Sequence, residues 1–420
     1  MPPKNRVIID TDPGVDDVLA LILALSSLPE ELEVLLISVT YGNVPVKSCL
    51  KNVAALFHII DLEIKWRKAQ NKPIGFSSLL DRKPVVAIGA DHPLEEEVLA
   101  ADHFLADGPD GLHGVHDSLP HLAPTQMWDK VFQEGADGKP SLFSASKTPA
   151  HKEILRVLQE NPTDTVTIAV LGPMTNIALA ASEDPETFVK VKELVVMGGA
   201  IDVPGNITPV AEFNTYADPV AAAQVYALTS PSPQSTLPPS SLPAYPSKLP
   251  RRVELKLFPL DLTSPHRLSK SQFDERSQPL AESGSPLAQW MAHFMARTFE
   301  KINSFKPPGS TSEPALQLHD PMVLWYILTS ENKGWKRSAR GEDIRVEAVG
   351  QWSRGELITD KRGMAKLLDH DDDELTVDEV PGDTDGWFTP GKGNRVTRML
   401  QSPGETLFAH VLLDAIFPRT

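Results

Sequence analysis

The sequence predicts an α/β fold: a single large Rossmann-like domain over residues 1–420, with a mostly parallel central sheet flanked by helices and broken by loop insertions. Two observations carry that expectation. Short β-branched runs, apolar at consecutive positions, alternate with segments of helical periodicity, as strands covered on both faces do. Most of these runs end in polar or turn-forming residues, which is where an open parallel sheet places its site.

Strands are expected over Arg6–Ile9, Val34–Thr40, Val85–Ile88, Thr165–Leu171, Leu194–Met197 and Val253–Leu257. Helices are expected over Asp16–Leu28, Val46–Ile60, His151–Glu160, Thr175–Ala181 and Pro219–Ala227. The mixed, weakly periodic stretches 65–83 and 124–149 read as irregular insertions. Residues 230–250 contain seven prolines and six serines in 21 positions. That composition predicts a mobile insertion rather than a packed element. Because a further strand follows, it reads as an insertion within the domain and not as a linker between two. The acidic run from Asp369 to Glu374 resembles a calcium loop but has Val380 where a bidentate glutamate belongs, so it reads as solvated surface.

Hydrophobic residues make up 41% of the 420, enough for a sizeable core. Forty basic against 56 acidic residues give a net charge of −16, which disfavours nucleic acid and anionic membranes as partners. The single cysteine, Cys49, excludes an intramolecular disulfide and a cysteine zinc cage. The first residues run directly into Val7-Ile8-Ile9 with no apolar region long enough for a signal peptide or a membrane span. A cytoplasmic location is the expectation.

The sharpest feature is Asp10-Thr11-Asp12-Pro13-Gly14-Val15-Asp16-Asp17, between the first strand and the first helix. One aspartate there needs no explanation beyond helix capping. Four carboxylates within eight residues repel one another unless a cation neutralises them. Hard oxygen donors of this kind suit Ca²⁺ or Mg²⁺. The divalent-cation reading therefore outranks capping.

This segment resembles the fingerprint of the inosine–uridine-preferring nucleoside hydrolases. The resemblance continues through Thr40-Tyr41-Gly42-Asn43, Leu171-Gly172-Pro173-Met174-Thr175-Asn176, Val196-Met197-Gly198-Gly199, Asn206 to Asn214, and His319-Asp320-Pro321. Together these motifs cover most of residues 5–330. Singly, each has a plainer reading: Asn43 as turn chemistry, the glycine pairs as tight turns, His319 as a helix-start residue. Their joint order carries the likeness.

The resemblance implies an enzyme that hydrolyses the N-glycosidic bond of purine or pyrimidine ribonucleosides to free base and ribose. It implies that Asp12, Asp17, Asp320 and the backbone carbonyl of Leu171 hold Ca²⁺, with Asp12 also the general base for a Ca-bound water. Asp16, Asn43 and Asn214 would grip the ribose 2′- and 3′-hydroxyls. Asn206 and Glu212 would take the 5′-hydroxyl, and Met197 would line the substrate site. Asp10 would support the cluster from behind, and His319 would protonate the leaving base. A homodimer or homotetramer is the implied assembly. One departure concerns Asp107, which stands before the glycine-rich segment where the family commonly has histidine; His113 or His116 are the candidates to replace it at the base. Two other readings compete. A haloacid-dehalogenase-like, Mg²⁺-dependent phosphatase would use Asp10 as its nucleophile. A silent paralogue would bind nucleosides without cleaving them.

Overall fold

The computed structural model describes residues 3–95, 108, 110–124, 128–132, 142–362, 382–389 and 391–418. Asp107, the run 369–374 and Val380 lie outside the described residues.

The chain builds a nine-stranded sheet. In chain order its strands are β1 (Asn5–Thr11), β2 (Leu32–Val39), β3 (Val85–Ile88), β4 (Ser144–Ala145), β5 (Val166–Val170), β6 (Glu193–Met197) and β7 (Leu255–Phe258). Two separate pairs of short strands lie outside the sheet: β8 (Arg267–Ser269) with β9 (Ala315–Gln317), and β11 (Arg345–Val346) with β12 (Leu357–Ile358). The sheet is completed by β10 (Lys336–Arg337) and β13 (Thr397–Gln401). Its spatial order is β10-β13-β7-β6-β5-β1-β2-β3-β4. All neighbours run parallel except β10 against β13.

The order reverses beside β1: β2 follows it on one side and β5 lies on the other. Chain connections leave in opposite directions at such a point and open a crevice at the carboxyl ends of the two strands. The aspartate-rich turn follows β1, and Leu171 follows β5. Leu171 N–H bonds the Asp10 carbonyl at 2.8 Å, so the two strand ends are locked in register where the crevice opens.

Val7, Ile8 and Ile9 are fully buried because helices cover both faces of β1. The helix Val15–Ser26 is apolar almost all round, since it packs against the helices Asp320–Thr329 and Glu405–Ile416 as well as over the sheet. The helix expected to end at Ile60 continues to Ala69. Ile64 is buried, and the buried Arg67 pairs with Glu63 at 2.8 Å, so this turn has both an apolar anchor and a satisfied charge. Part of the expected irregular stretch 65–83 is therefore helical. The stretch 124–149 supplies the edge strand β4.

Residues 230–250, expected to be a mobile insertion, are seated on the core at a few points. They contain only a short 3₁₀ turn, Pro233–Ser235, yet Tyr245 and Leu249 are buried in the same apolar cluster as Val196, Tyr226 and Leu255. Leu237 and Leu242 pack on that cluster, and Thr236 Oγ1 bonds Asn394 Oδ1 at 2.7 Å. Three or four apolar side chains suffice to seat a segment whose average composition is that of a linker. No helix among the described residues is long and apolar enough to cross a membrane.

Candidate active site

The turn after β1 is organised by Asp17. Its carboxylate accepts from Thr11 Oγ1, from Asp12 N–H at 3.3 Å and from Gly14 N–H at 3.1 Å. It therefore closes the first turn of the helix Val15–Ser26, and the capping role is real. Capping does not account for what surrounds it. Asp16, Asp17 and Asp320 each offer an oxygen within 4.8 Å of the others. Asp320 arrives from the first turn of its own helix, contributed by the far end of the sequence.

Asp12 lies beside this trio, with one oxygen against Gly42 and the other against Gly172. Its Oδ2 accepts the Asn43 main-chain N–H at 2.7 Å. Burial, then the Asp17 charge, raises its carboxyl pKa well above the usual carboxylate range. Burial likewise raises Asp17. For Asp320, burial acts together with Asp16, Asp17 and Asp12 in the same direction. No cationic side chain pairs with Asp12, Asp17 or Asp320 among the described residues.

Asp17 and Asp320 are in hydrogen-bond contact. Two acids so placed require a shared proton or a cation between them. With all-oxygen donors, the set fits a hard divalent ion such as Ca²⁺. Asp16, Asp17 and Asp320 can hold one.

Asn43 is part of this construction rather than a turn residue. Its Nδ2 donates to the Asp12 carbonyl at 3.1 Å and to Asp17 Oδ2 at 3.0 Å. Both amide hydrogens are committed, so Asn43 presents its Oδ1 as an acceptor. Asn214 is arranged alike: its Nδ2 donates to the Leu171 carbonyl at 2.6 Å and contacts Met197 Sδ at 3.7 Å. Glu212 caps the short helix Phe213–Ala217, with Oε1 taking Asn214 N–H and Oε2 taking Gly199 N–H, Thr215 N–H and Thr215 Oγ1. Asn206, which is exposed, accepts Phe213 N–H at 2.9 Å and so holds the start of the same helix.

Asp10 sits below the site, fully buried. Its Oδ1 accepts from Ser38 Oγ and from Asn176 Nδ2 at 2.9 Å. Burial raises its pKa to about 7. A carboxylate so enclosed cannot reach a phosphate ester, which removes the structural basis for a phosphoaspartate. His319 bonds Thr263 Oγ1 through Nδ1 at 2.7 Å, and burial lowers its pKa to about 4. It makes no side-chain capping bond at the start of the helix Asp320–Thr329.

Both candidate histidines of the glycine-rich segment have Nε2 engaged within the protein. His113 Nε2 bonds Thr298 Oγ1 at 3.1 Å, and His116 Nε2 bonds Asn52 Oδ1 at 2.8 Å. Sequence reasoning missed several contributors. Thr175 and Tyr41 bond one another, and Thr175 also reaches Asp218, whose carboxylate ties down Leu94 N–H. Asn52 is fully buried near the start of the helix Val46–Ala69, between the buried Leu50 and Val53, and a lone amide on that apolar face was the available signal.

The model of the family described as inosine-uridine preferring nucleoside hydrolase matches residues 7–382, well past the last of the motifs at His319-Asp320-Pro321. The chain is 29% identical over 359 residues to the pyrimidine-specific ribonucleoside hydrolase RihA of Salmonella arizonae, covering 84% of this chain and 88% of that one. It is 28% identical over 355 residues to an uncharacterized protein of Schizosaccharomyces pombe, covering 84% and 89%. Among solved structures, a plant nucleoside hydrolase, PpNRh1, shares the fold at TM-score 0.64 and 22% identity, over 99% of this chain and 100% of that one. An inosine-guanosine nucleoside hydrolase does so at TM-score 0.65 and 20% identity, over 98% of each chain.

Proposed function

The chain belongs to the inosine-uridine preferring nucleoside hydrolase family, and from that premise we propose that it hydrolyses purine or pyrimidine ribonucleosides to free base and ribose, with Ca²⁺ as its cofactor. The observation that carries the reading is the convergence of Asp12, Asp16, Asp17 and Asp320 at the β1/β5 crevice with no cationic side chain paired to Asp12, Asp17 or Asp320 among the described residues.

N-glycosidic cleavage develops positive charge on the ribosyl ring. Fixed carboxylates and amide oxygens stabilise that charge without reorganising. Asn43 and Asn214 have both spent their hydrogens inside the protein, so each offers only Oδ1, an acceptor for a ribose hydroxyl. Asp16, the most accessible carboxylate of the trio, is the third partner for the 2′- and 3′-hydroxyls. Glu212 Oε1 carries a single main-chain bond and retains a lone pair for the 5′-hydroxyl, with Asn206 beside it.

A divalent ion held by Asp12, Asp17, Asp320 and the Leu171 carbonyl would supply Lewis acidity, lowering the pKa of a coordinated water. Asp12 is placed to take the proton, because Asn43 N–H and the two flanking glycines fix its orientation. His319 is assigned to the leaving base. When Thr263 donates to Nδ1, the imidazole proton is left on Nε2, the nitrogen available to a substrate.

The test is a panel of ribonucleosides incubated with the Ca²⁺-loaded protein and read out as free ribose. Ribose release from inosine or uridine is expected. Binding without ribose release would identify a silent paralogue, and phosphate release from phosphate esters with Mg²⁺ would revive the phosphatase.

A further inference from the structure

The glycine-rich segment and the aspartate turn are joined by one buried amide. Asn52 Nδ2 donates to the Pro13 carbonyl at 2.8 Å and to the Asp110 carbonyl at 2.7 Å. Its Oδ1 contacts His116 Nε2 at 2.8 Å. The reverse orientation of the amide would set its oxygen against two carbonyl oxygens, so the network admits one assignment. That assignment fixes the histidine as well: His116 must donate through Nε2–H, and its Nδ1 is the unprotonated nitrogen.

The surroundings keep it so. His116 is 4% exposed, Nδ1 has no partner among the described residues, and burial lowers the pKa to about 4. The imidazole is therefore a neutral, single-tautomer donor with one acceptor to serve. The Asp110 end is equally constrained, since Asp110 Oδ1 accepts Leu112 N–H at 3.0 Å and Gly114 N–H at 2.8 Å. Gly111 meanwhile lies against Val44 and Asn52, where an added Cβ would be 3.2 Å from Val44 Cγ1.

Pro13 stands between Asp12 and the Gly14 N–H that Asp17 holds. Moving its carbonyl moves both carboxylates. We propose that Asn52 and His116 are positioning residues that fix the Asp12–Asp17 turn against the segment 110–116 and thereby set the geometry of the divalent-ion site. Both act through the protein: the hydrogen bonds of Asn52 run to the Pro13 and Asp110 carbonyls and to His116. The inference rests on the reading that these carboxylates hold a divalent ion, and it assigns to His116 a role at the carboxylates in place of one at the leaving base.

The experiment compares four full-length variants with the wild type by calcium titration calorimetry and by amide hydrogen exchange over residues 12–17 and 111–118. Asn52→Asp keeps the shape but turns oxygens toward two carbonyls, and Asn52→Leu removes all three bonds. His116→Phe removes the donor, whereas His116→Gln restores an N–H. Both Asn52 variants are expected to bind calcium about 10- to 100-fold more weakly, the usual cost of losing a group that orients ligands. Exchange should rise in both segments together. His116→Phe should fall between, and His116→Gln should recover toward wild type. A general loss of packing would not be rescued by one restored donor.

Wild-type calcium affinity in a folded Asn52→Asp protein would overturn the proposal. So would faster exchange confined to 111–118. If Asn52→Leu fails to fold, Asn52→Asp and the His116 pair decide. A wild-type protein that binds calcium yet releases no ribose would sink the hydrolase reading and leave the clamp standing. One that binds no calcium would overturn the proposed ion site and, with it, this inference.

Discussion

A Cβ added to Gly42 would fall 2.0 Å from Asp12 Oδ2. On the opposite side, a Cβ on Gly172 would fall 2.4 Å from Oδ1. The Asp12 carboxylate is thus gripped by two glycines that follow different strands, β2 and β5. Gly42 needs no unusual backbone angle; it is required for the space it leaves.

Gly42→Ala is therefore expected to fold but to push Asp12 aside. Displacing a reacting group by about 1 Å can cost about 10²-fold in rate. A kcat for ribose release at least tenfold below wild type, with a near-normal circular dichroism spectrum, is the expected result. Unchanged kcat would show that the position of Asp12 is not critical.

Much of this was legible in the sequence, and the reasons for the exceptions are specific. β1 through the helix Val15–Ser26 could be read because Val7–Ile9 form a buried apolar strand, Asp17 closes the helix start and Val18–Leu25 form one continuous buried run. Of the clustered carboxylates, Asp16 and Asp17 are adjacent in sequence, but Asp320 joins them only because its helix packs on Val15–Ser26. No local pattern encodes that contact, and the family resemblance supplied it. The resemblance assigns Asn206 and Glu212 to the 5′-hydroxyl, whereas their hydrogen bonds at the start of the helix Phe213–Ala217 depend on the backbone path, which no local pattern shows. The seating of residues 230–250 was hidden because composition averages over Tyr245 and Leu249, the few side chains that decide it.

Tyr245 gives that seating a stability test. Truncating a buried aromatic of this size costs about 3–5 kcal/mol, so Tyr245→Ala should markedly lower the urea midpoint. Its hydroxyl is buried without a hydrogen-bond partner among the described residues. Removing such a group alone is expected to be neutral or stabilising. Tyr245→Phe should therefore match or exceed the wild-type midpoint. A wild-type midpoint in Tyr245→Ala would show that residues 230–250 contribute nothing to the core.

Calcium should stabilise the folded protein by mass action. At 100 times its dissociation constant the gain is about 2.7 kcal/mol. Chelation should lower both the melting temperature and ribose release, with recovery on adding Ca²⁺. Asp320→Asn should abolish the calcium-dependent part of the melting shift, because it removes one of the three clustered carboxylates. A shift of wild-type size in that variant would move the ion away from Asp320.

Ribonucleosides should be cleaved and 2′-deoxyribonucleosides poorly so. In the proposed ribose pocket, Asn43 and Asn214 would accept through Oδ1, because their amide hydrogens are already committed. A substrate lacking a hydroxyl leaves one of these acceptors unpaired, and sites built on such bonds discriminate by about 10⁴–10⁵-fold. Comparable kcat/KM for uridine and deoxyuridine would contradict the assignment of the ribose pocket.

The role of His319 can be separated from that of the carboxylates by changing the leaving group. A purine or pyrimidine departs poorly as an anion and needs a proton or a hydrogen bond. Nitrophenolate departs unaided. Thr263 holds Nδ1 of His319 at 2.7 Å and so orients the ring, leaving Nε2 for the base. His319→Ala should therefore slow inosine or uridine hydrolysis by about 10²–10³-fold, the usual cost of removing one fixed hydrogen-bond donor from developing negative charge. It should barely affect nitrophenyl riboside, whose ribosyl contacts are untouched. Thr263→Val removes only the orienting bond, so it should give a smaller loss with the same dependence on leaving group. Equal losses on both substrates would mean that His319 supports its neighbour Asp320 instead of the departing base.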